Sequence, residues 1–258
     1  MTAPVGEGVL ALLALAAFFA GLVDAIAGGG GLVTVPALLA AGLDPRIALA
    51  TNKGQAVFGA VSSSVQFWRK GAVDRRRAPL AFGLGLAGSF GGALLLMALR
   101  PEPLRPLVIV LLVLAAVIVM VPKAVFLKLG VRDLSRPMLV FAVVAFAVGA
   151  YDGFFGPGTG SMLIAAHVLI FDDPPMRASG NAKIGNLASN VAAFAIFAWQ
   201  GAIVWKIALV MAAANALGAA VGARLALRVG DRLVRVAVIV VVSALVIKLG
   251  IDLLHPAK

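Results

Sequence analysis

Two lysines stand inside apolar stretches of this sequence, each close behind an asparagine: Asn52-Lys53 and Asn181-Ala182-Lys183. Upstream of each lies an aspartate near the end of an apolar run, Asp24 and Asp152. Each aspartate is followed by a glycine break, Gly28-Gly29-Gly30-Gly31 or Gly156-Pro157-Gly158-Thr159-Gly160. Cations flanked by amide donors suit a tetrahedral or pyramidal oxyanion. A helix that restarts after a break offers free backbone N–H groups with partial positive charge, which also bind anions. A carboxylate inside an apolar span is a functional candidate by default. Asp24 and Asp152 could carry a coupling proton, or hold Lys53 or Lys183 in an ion pair.

The candidate anion site therefore comprises Gly28, Gly29, Gly30, Gly31, Thr34, Asn52, Lys53 and Gln55 in the first half. The second half supplies Gly156, Gly158, Thr159, Ser161, Asn181, Lys183 and Asn186, with Asp24 and Asp152 as coupling groups. Ser189 and Asn190 could add hydrogen bonds, and Tyr151 could line the site. Each residue also has a plainer role. A lysine can snorkel to the membrane surface, an aspartate can cap a helix, and amides can join helices. His167, inside a short apolar segment, reads as a packing or helix contact.

These residues need long apolar elements to hold them. The chain has 258 residues, 62% of them hydrophobic and 13% charged, with a mean hydropathy of +1.06. A soluble domain is about half apolar and a quarter charged. This excess must face lipid. The 29 Gly and 13 Pro fit transmembrane helices. There is no Cys, which excludes disulfides and thiol chemistry. The formal charge of +11 comes from 22 Lys and Arg against 11 Asp and Glu. The basic residues cluster between apolar runs, so they are read as loop charge that sets orientation, not as a nucleic-acid surface.

Apolar runs extend over 5–27, 78–99, 107–121, 138–152, 203–227 and 236–254, and more polar helices over 45–68 and 181–199. No basic residue precedes the first run, so it reads as a retained helix and not a signal peptide. Two short segments, 32–42 and 161–171, follow the glycine breaks. At about 1.5 Å per residue they cannot cross a core of about 30 Å, so they read as half-helices. Thr34 and Pro36 suggest the start of the first, and Asp44-Pro45 the cap of the next helix. Glycines between 78 and 99 would let helices approach closely. Trp68, Trp199 and Trp205 fall near predicted span ends.

The pattern occurs twice. Asp24 lies over Asp152, Gly28–Gly31 over Gly156–Gly160, Lys53 over Lys183, Gly71 over Gly201, and Gly88 and Gly92 over Gly218 and Gly222. The offset drifts only from 128 to 130. Equivalent loops carry opposite charge bias. Arg69, Lys70, Arg75, Arg76 and Arg77 in the first half face only Lys206 in the second. Arg100 and Arg105 face Arg224, Arg228, Arg232 and Arg235. By the positive-inside rule equivalent loops lie on opposite sides, which requires an odd number of elements per repeat.

The expected fold is all-α: a polytopic integral membrane protein of two inverted repeats, each of about five helical elements with a Gly-broken half-helix. Repeat one covers 5–121, a basic cytoplasmic linker 122–137, and repeat two 138–254. The loops 69–77, 123–136 and 224–235 are then cytoplasmic and both termini outside. Inverted repeats with broken helices are a transporter architecture.

The run Gly21-Leu22-Val23-Asp24-Ala25-Ile26-Ala27-Gly28-Gly29-Gly30-Gly31, the half-helix with Pro36 and Ala50-Thr51-Asn52-Lys53 resemble the sulfite exporter TauE/SafE family. The run from Gly180 to Asn190 is similar to its second repeat. The resemblance covers about Gly8 to Leu254. It implies an anion carrier of the bacterial cytoplasmic (inner) membrane, often an exporter, for sulfite, sulfonates such as sulfoacetate, or related sulfur oxyanions. Pro157 and Thr159 depart from a plain glycine run, which makes the two halves of the site unequal.

A secondary transporter of a small sulfur-containing anion, proton-coupled and exporting, is thus the leading expectation. A passive anion channel, or a carrier for another small anion such as a carboxylate, stays open. An intramembrane serine hydrolase would need Ser161 and His167, which lie about 240° apart around one helix. No phosphate-binding loop, dinucleotide fold or metal-ligand cluster is found, so no cofactor is expected. The expected partners are a small anionic substrate and the lipid bilayer, with no nucleic acid, and a homo-oligomer is left open.

Overall fold

The structure is a computed structural model, and it describes residues 6–100, 102–120 and 137–229. All regular structure among the described residues is helical, in nine helices. They are α1 (Glu7–Ala27), α2 (Gly31–Ala40), α3 (Pro45–Arg69), α4 (Ala78–Ala98), α5 (Leu104–Met120), α6 (Pro137–Phe154), α7 (Thr159–Leu169), α8 (Pro175–Trp199) and α9 (Trp205–Val229). The expected helix at 236–254, the linker at 123–136, and Arg232, Arg235 and His255 lie outside the described residues.

Four of these helices, α1, α4, α6 and α9, are long and apolar enough to cross a membrane. Their outward faces carry exposed large hydrophobics, among them Leu12, Phe19, Leu95, Leu139, Val143 and Leu217. In water such a surface would aggregate, whereas in a bilayer it costs nothing. The chain is an integral membrane protein.

The helices α3 and α8 have 25 residues each, about 37 Å at 1.5 Å per residue. They carry too many polar groups to face lipid, and they are central. Helix α3 packs between α8 and α9, and α8 between α3 and α4. Helix α1 lies along α9, and α6 along α4, so the first helix of each half packs on the other half.

Contacts fix the directions. Gly218 abuts the Phe18 carbonyl and Gly222 that of Leu22, so α1 and α9 are parallel. Gly88 abuts Phe146 and Gly92 abuts Ala150, so α4 and α6 are parallel. Thr51 accepts from the Val204 N–H at 3.1 Å and Gln66 donates to the Ala220 carbonyl at 3.2 Å, which aligns α3 with α9. Ser89 donates to the Ser189 carbonyl at 2.6 Å, and Gly85 lies on Gly185, which aligns α4 with α8. Lys53 meets Asn190, and Ser64 meets Lys183, so α3 and α8 are antiparallel. Thus α1, α3 and α9 run one way, and α4, α6 and α8 the other. Arg69 to Arg77, Arg224 and Arg228 consequently fall at one end of the bundle.

Close approach of parallel helices requires glycine at their crossings. Gly88, Gly92, Gly218 and Gly222 serve this role, because a Cβ at any of them would run into a neighbouring backbone. Gly83 and Gly91 do not; they face open space.

The half-helices form, with boundaries that differ slightly from expectation. Helix α2 begins at Gly31, so Pro36 lies inside it and not in its first turn. Helix α7 begins at Thr159, where Gly158 in a left-handed conformation (φ 87°) turns the chain. Helix α8 starts at Pro175, earlier than expected, because Pro174 and Pro175 already form its cap and first turn. The Asp44 carboxylate caps α3 by accepting from the Arg46 N–H at 3.0 Å.

Candidate functional site

The two glycine breaks meet. Gly28, left-handed at φ 78°, ends α1, and its Cα side lies against the backbone of Gly160. The Ser161 N–H donates to the Gly28 carbonyl at 2.8 Å, and the Ser161 hydroxyl to Ala27 at 2.6 Å. Carbonyls released by one broken helix are therefore satisfied by the start of the other. The Tyr151 hydroxyl, donating to Pro157 at 2.8 Å, and the Thr159 hydroxyl, donating to Gly156 at 2.7 Å, brace the second break.

The lysines of the central helices reach across this junction. Lys53 on α3 pairs with Asp152 on α6 at 2.7 Å and also donates to Asn190 Oδ1 at 3.3 Å. Lys183 on α8 pairs with Asp24 on α1 at 3.2 Å and donates to the Asp24 backbone carbonyl. Each half's lysine is thus held by the other half's aspartate. The two pairs are not equally enclosed: the Asp152 side chain is 2% exposed and that of Asp24 24%. The Ser189 hydroxyl donates to the second oxygen of Asp152. A buried charge pair of this kind is retained only where its remaining hydrogen bonds are met.

A polar cavity of about 30 Å³ lies between the pairs. Its walls include Asp24, Gly28, Gly30, Gly31, Asn52, Lys53 and Gln55 from the first half. From the second come Asp152, Gly156, Gly158, Gly160, Asn186 and Asn190. Gly29, Thr34, Thr159, Ser161 and Lys183 do not line it. Thr34 stands behind Asn52, donating to its Oδ1 at 2.5 Å. Asn190 Nδ2 donates to the Asn186 backbone carbonyl at 2.7 Å and to Asn186 Oδ1 at 3.1 Å, which fixes both amides.

The structure does not bring Asn181 to this cavity. Its Oδ1 accepts from the Asp74 N–H at 2.7 Å, and its amide donates to Asp173 at 3.0 Å. Asp173 also receives Arg77 and meets His167 Nδ1 at 2.8 Å. This cluster ties the α3–α4 loop to the start of α8. Within it Asp74 accepts from the Arg77 guanidinium at 2.8 Å. That bond, with the Arg76 and Arg77 backbone N–H groups, holds the Asp74 carboxyl below its ordinary value against the cost of burial. His167 lies against Phe141 and Phe171 and serves as a packing and helix contact.

Asn215, which sequence reasoning did not select, also lines the cavity. Its amide donates to the Ala17 carbonyl at 3.2 Å. Its counterpart at the repeat offset is Gly85, so matching the halves conceals it. The available signal was a lone asparagine in the apolar stretch 207–223.

No solved structure matches the chain significantly. Among curated relatives, the probable membrane transporter protein ORF9 of Sinorhizobium sp is 36% identical over 255 residues, covering 96% of this chain and 95% of that protein. The probable membrane transporter protein YfcA of Escherichia coli strain K12 is 37% identical over 264 residues, covering 99% and 95%. A probable membrane transporter protein of Haemophilus influenzae is 38% identical over 252 residues, covering 96% and 97%. The sulfite exporter TauE/SafE family matches residues 13–249, nearly the whole helical bundle, and the chain belongs to that family.

Proposed function

We propose that this chain is a secondary transporter that exports a small sulfur-containing anion, sulfite or an organosulfonate, across the cytoplasmic membrane with proton coupling. The observation that carries the reading is the crossed pairing of Lys53 with Asp152 and Lys183 with Asp24 around two touching helix breaks. Family membership and the names of the relatives support transport.

The repeats, 5–121 and 138–254 joined by a linker at 122–137, are inverted in this reading. The opposite directions of α1 and α6, α3 and α8, and α4 and α9 support it. Alternating access then amounts to rocking one half against the other about the cavity. The basic end of the bundle is the cytoplasmic one, by the positive-inside rule.

Charge balance supports proton coupling. Two lysines and two aspartates at the site sum to zero, so an anion entering alone would bring uncompensated charge into a low-dielectric interior. A proton taken up by Asp152 or Asp24 removes one negative charge and frees the paired lysine. The freed ammonium and the amides of Asn52, Asn186 and Asn190 then hold the oxyanion.

The test is counterflow of sulfite and sulfoacetate in proteoliposomes. The expected result is saturable exchange, lost in Lys53→Ala and Lys183→Ala while both variants still unfold cooperatively. Flux that neither saturates nor exchanges would identify a channel. Exchange of acetate without any sulfur anion would identify a carboxylate carrier.

A further inference from the structure

Gln55 is 1% exposed and lines the cavity, yet its Oε1 finds no hydrogen-bond partner among the described residues. Its other end is committed: Nε2 donates to Asn52 Oδ1 at 2.9 Å. The same Asn52 oxygen takes the Thr34 hydroxyl at 2.5 Å, so it is saturated. A buried acceptor left unmet costs about as much as a lost hydrogen bond, so a donor brought to Gln55 by a ligand is favoured. A fully deprotonated, donor-free oxyanion has none to give. It can satisfy Lys53 and the amide N–H groups, but not this oxygen.

We infer that the ligand of this cavity is a small oxyanion carrying its own hydrogen-bond donor, a hydroxyl or an ammonium, which Gln55 accepts while Lys53 and the amides bind the anionic head. The inference rests on the transporter reading above and narrows its substrate class. It also sets an orientation. The residue equivalent to Gln55 in the second half is Gly185, which offers no side-chain acceptor. The donor end therefore faces the first half.

The test is thermal-shift and calorimetric titration of the purified full chain with matched ligands. Ethanesulfonate is compared with 2-hydroxyethanesulfonate and 2-aminoethanesulfonate, and acetate with glycolate. The expected result is about tenfold tighter binding of the donor-bearing member within a head-group series, the scale of one hydrogen bond to a buried acceptor. Gln55→Met should abolish that preference, read as the ratio of donor-bearing to donor-free affinity within each series whatever the absolute affinities become, and Gln55→Glu, which keeps an acceptor, should retain a ratio above one. Equal binding within each series overturns the inference while leaving the transporter reading standing. A donor preference seen only for glycolate over acetate supports the inference and rejects an organosulfonate substrate. Binding of none of the five, with sulfite bound, overturns the inference and leaves the transporter reading standing; binding of neither the five nor sulfite overturns both.

Discussion

Lys53 Nζ lies 2.7 Å from Asp152 Oδ1, although 99 residues separate them and neither side chain is more than 4% exposed. The pair joins α3 of one half to α6 of the other, against Gly156 of the second helix break. Removing one partner strands a charge where it cannot be solvated.

Lys53→Met should therefore lower stability by about 3–5 kcal/mol, the usual cost of breaking a buried pair from one side. The double variant Lys53→Met/Asp152→Leu should recover at least half of that loss, because it leaves no unpaired charge. Thermal unfolding in detergent measures both. A double variant as unstable as the single one would show that the pair is not what holds these helices together.

The glycine junction makes a second contrast. Gly28→Ala combines a left-handed backbone with a collision against Gly160, both backbone groups that cannot step aside. It should cost well over 3 kcal/mol and prevent the breaks from meeting. Gly42→Ala has a similar φ of 86° but faces open space. It should cost only the left-handed strain, about 1–2 kcal/mol. Comparable losses at the two positions would contradict the close approach at Gly28.

Within α4, the glycines should separate by facing. Gly88→Ala and Gly92→Ala push a methyl group into the backbone of α6 and should destabilise by several kcal/mol. Gly83→Ala and Gly91→Ala meet nothing. They should be neutral or stabilising by up to about 1 kcal/mol, from helix propensity alone. Melting temperatures of the four variants decide it.

The pH dependence of the basic end follows from Asp74. Its carboxyl is held below its ordinary value by the Arg77 hydrogen bond. Because the folded value is the lower one, the ionised group stabilises the fold fully above that range. The contribution disappears as pH falls through the folded value. Asp74→Asn should thus lower the melting temperature at pH 7, and the gap to the unmodified chain should close below about pH 4. A gap that persists unchanged into acid would mean that the carboxylate's charge plays no part.

The sequence by itself determined the all-helical membrane architecture, the two half-helices and the position of an aspartate and a lysine in each half. These features are local: composition, glycine breaks and residue spacing are written along one dimension, and lipid leaves the backbone little choice beyond helices. Only the tertiary structure decided which aspartate holds which lysine. The pairs cross between halves because α1 packs on α9 and α6 on α4, an exchange of partners that no local pattern encodes. It also decided that Asn181, next but one to Lys183, turns toward Asp173 and away from the cavity. Two residues apart on a helix lie about 200° around its axis, so neighbours in sequence can serve opposite faces. Asn215 entered the site for the converse reason: its helix, remote in sequence, lies against α3 and α1 and delivers an amide to the cavity.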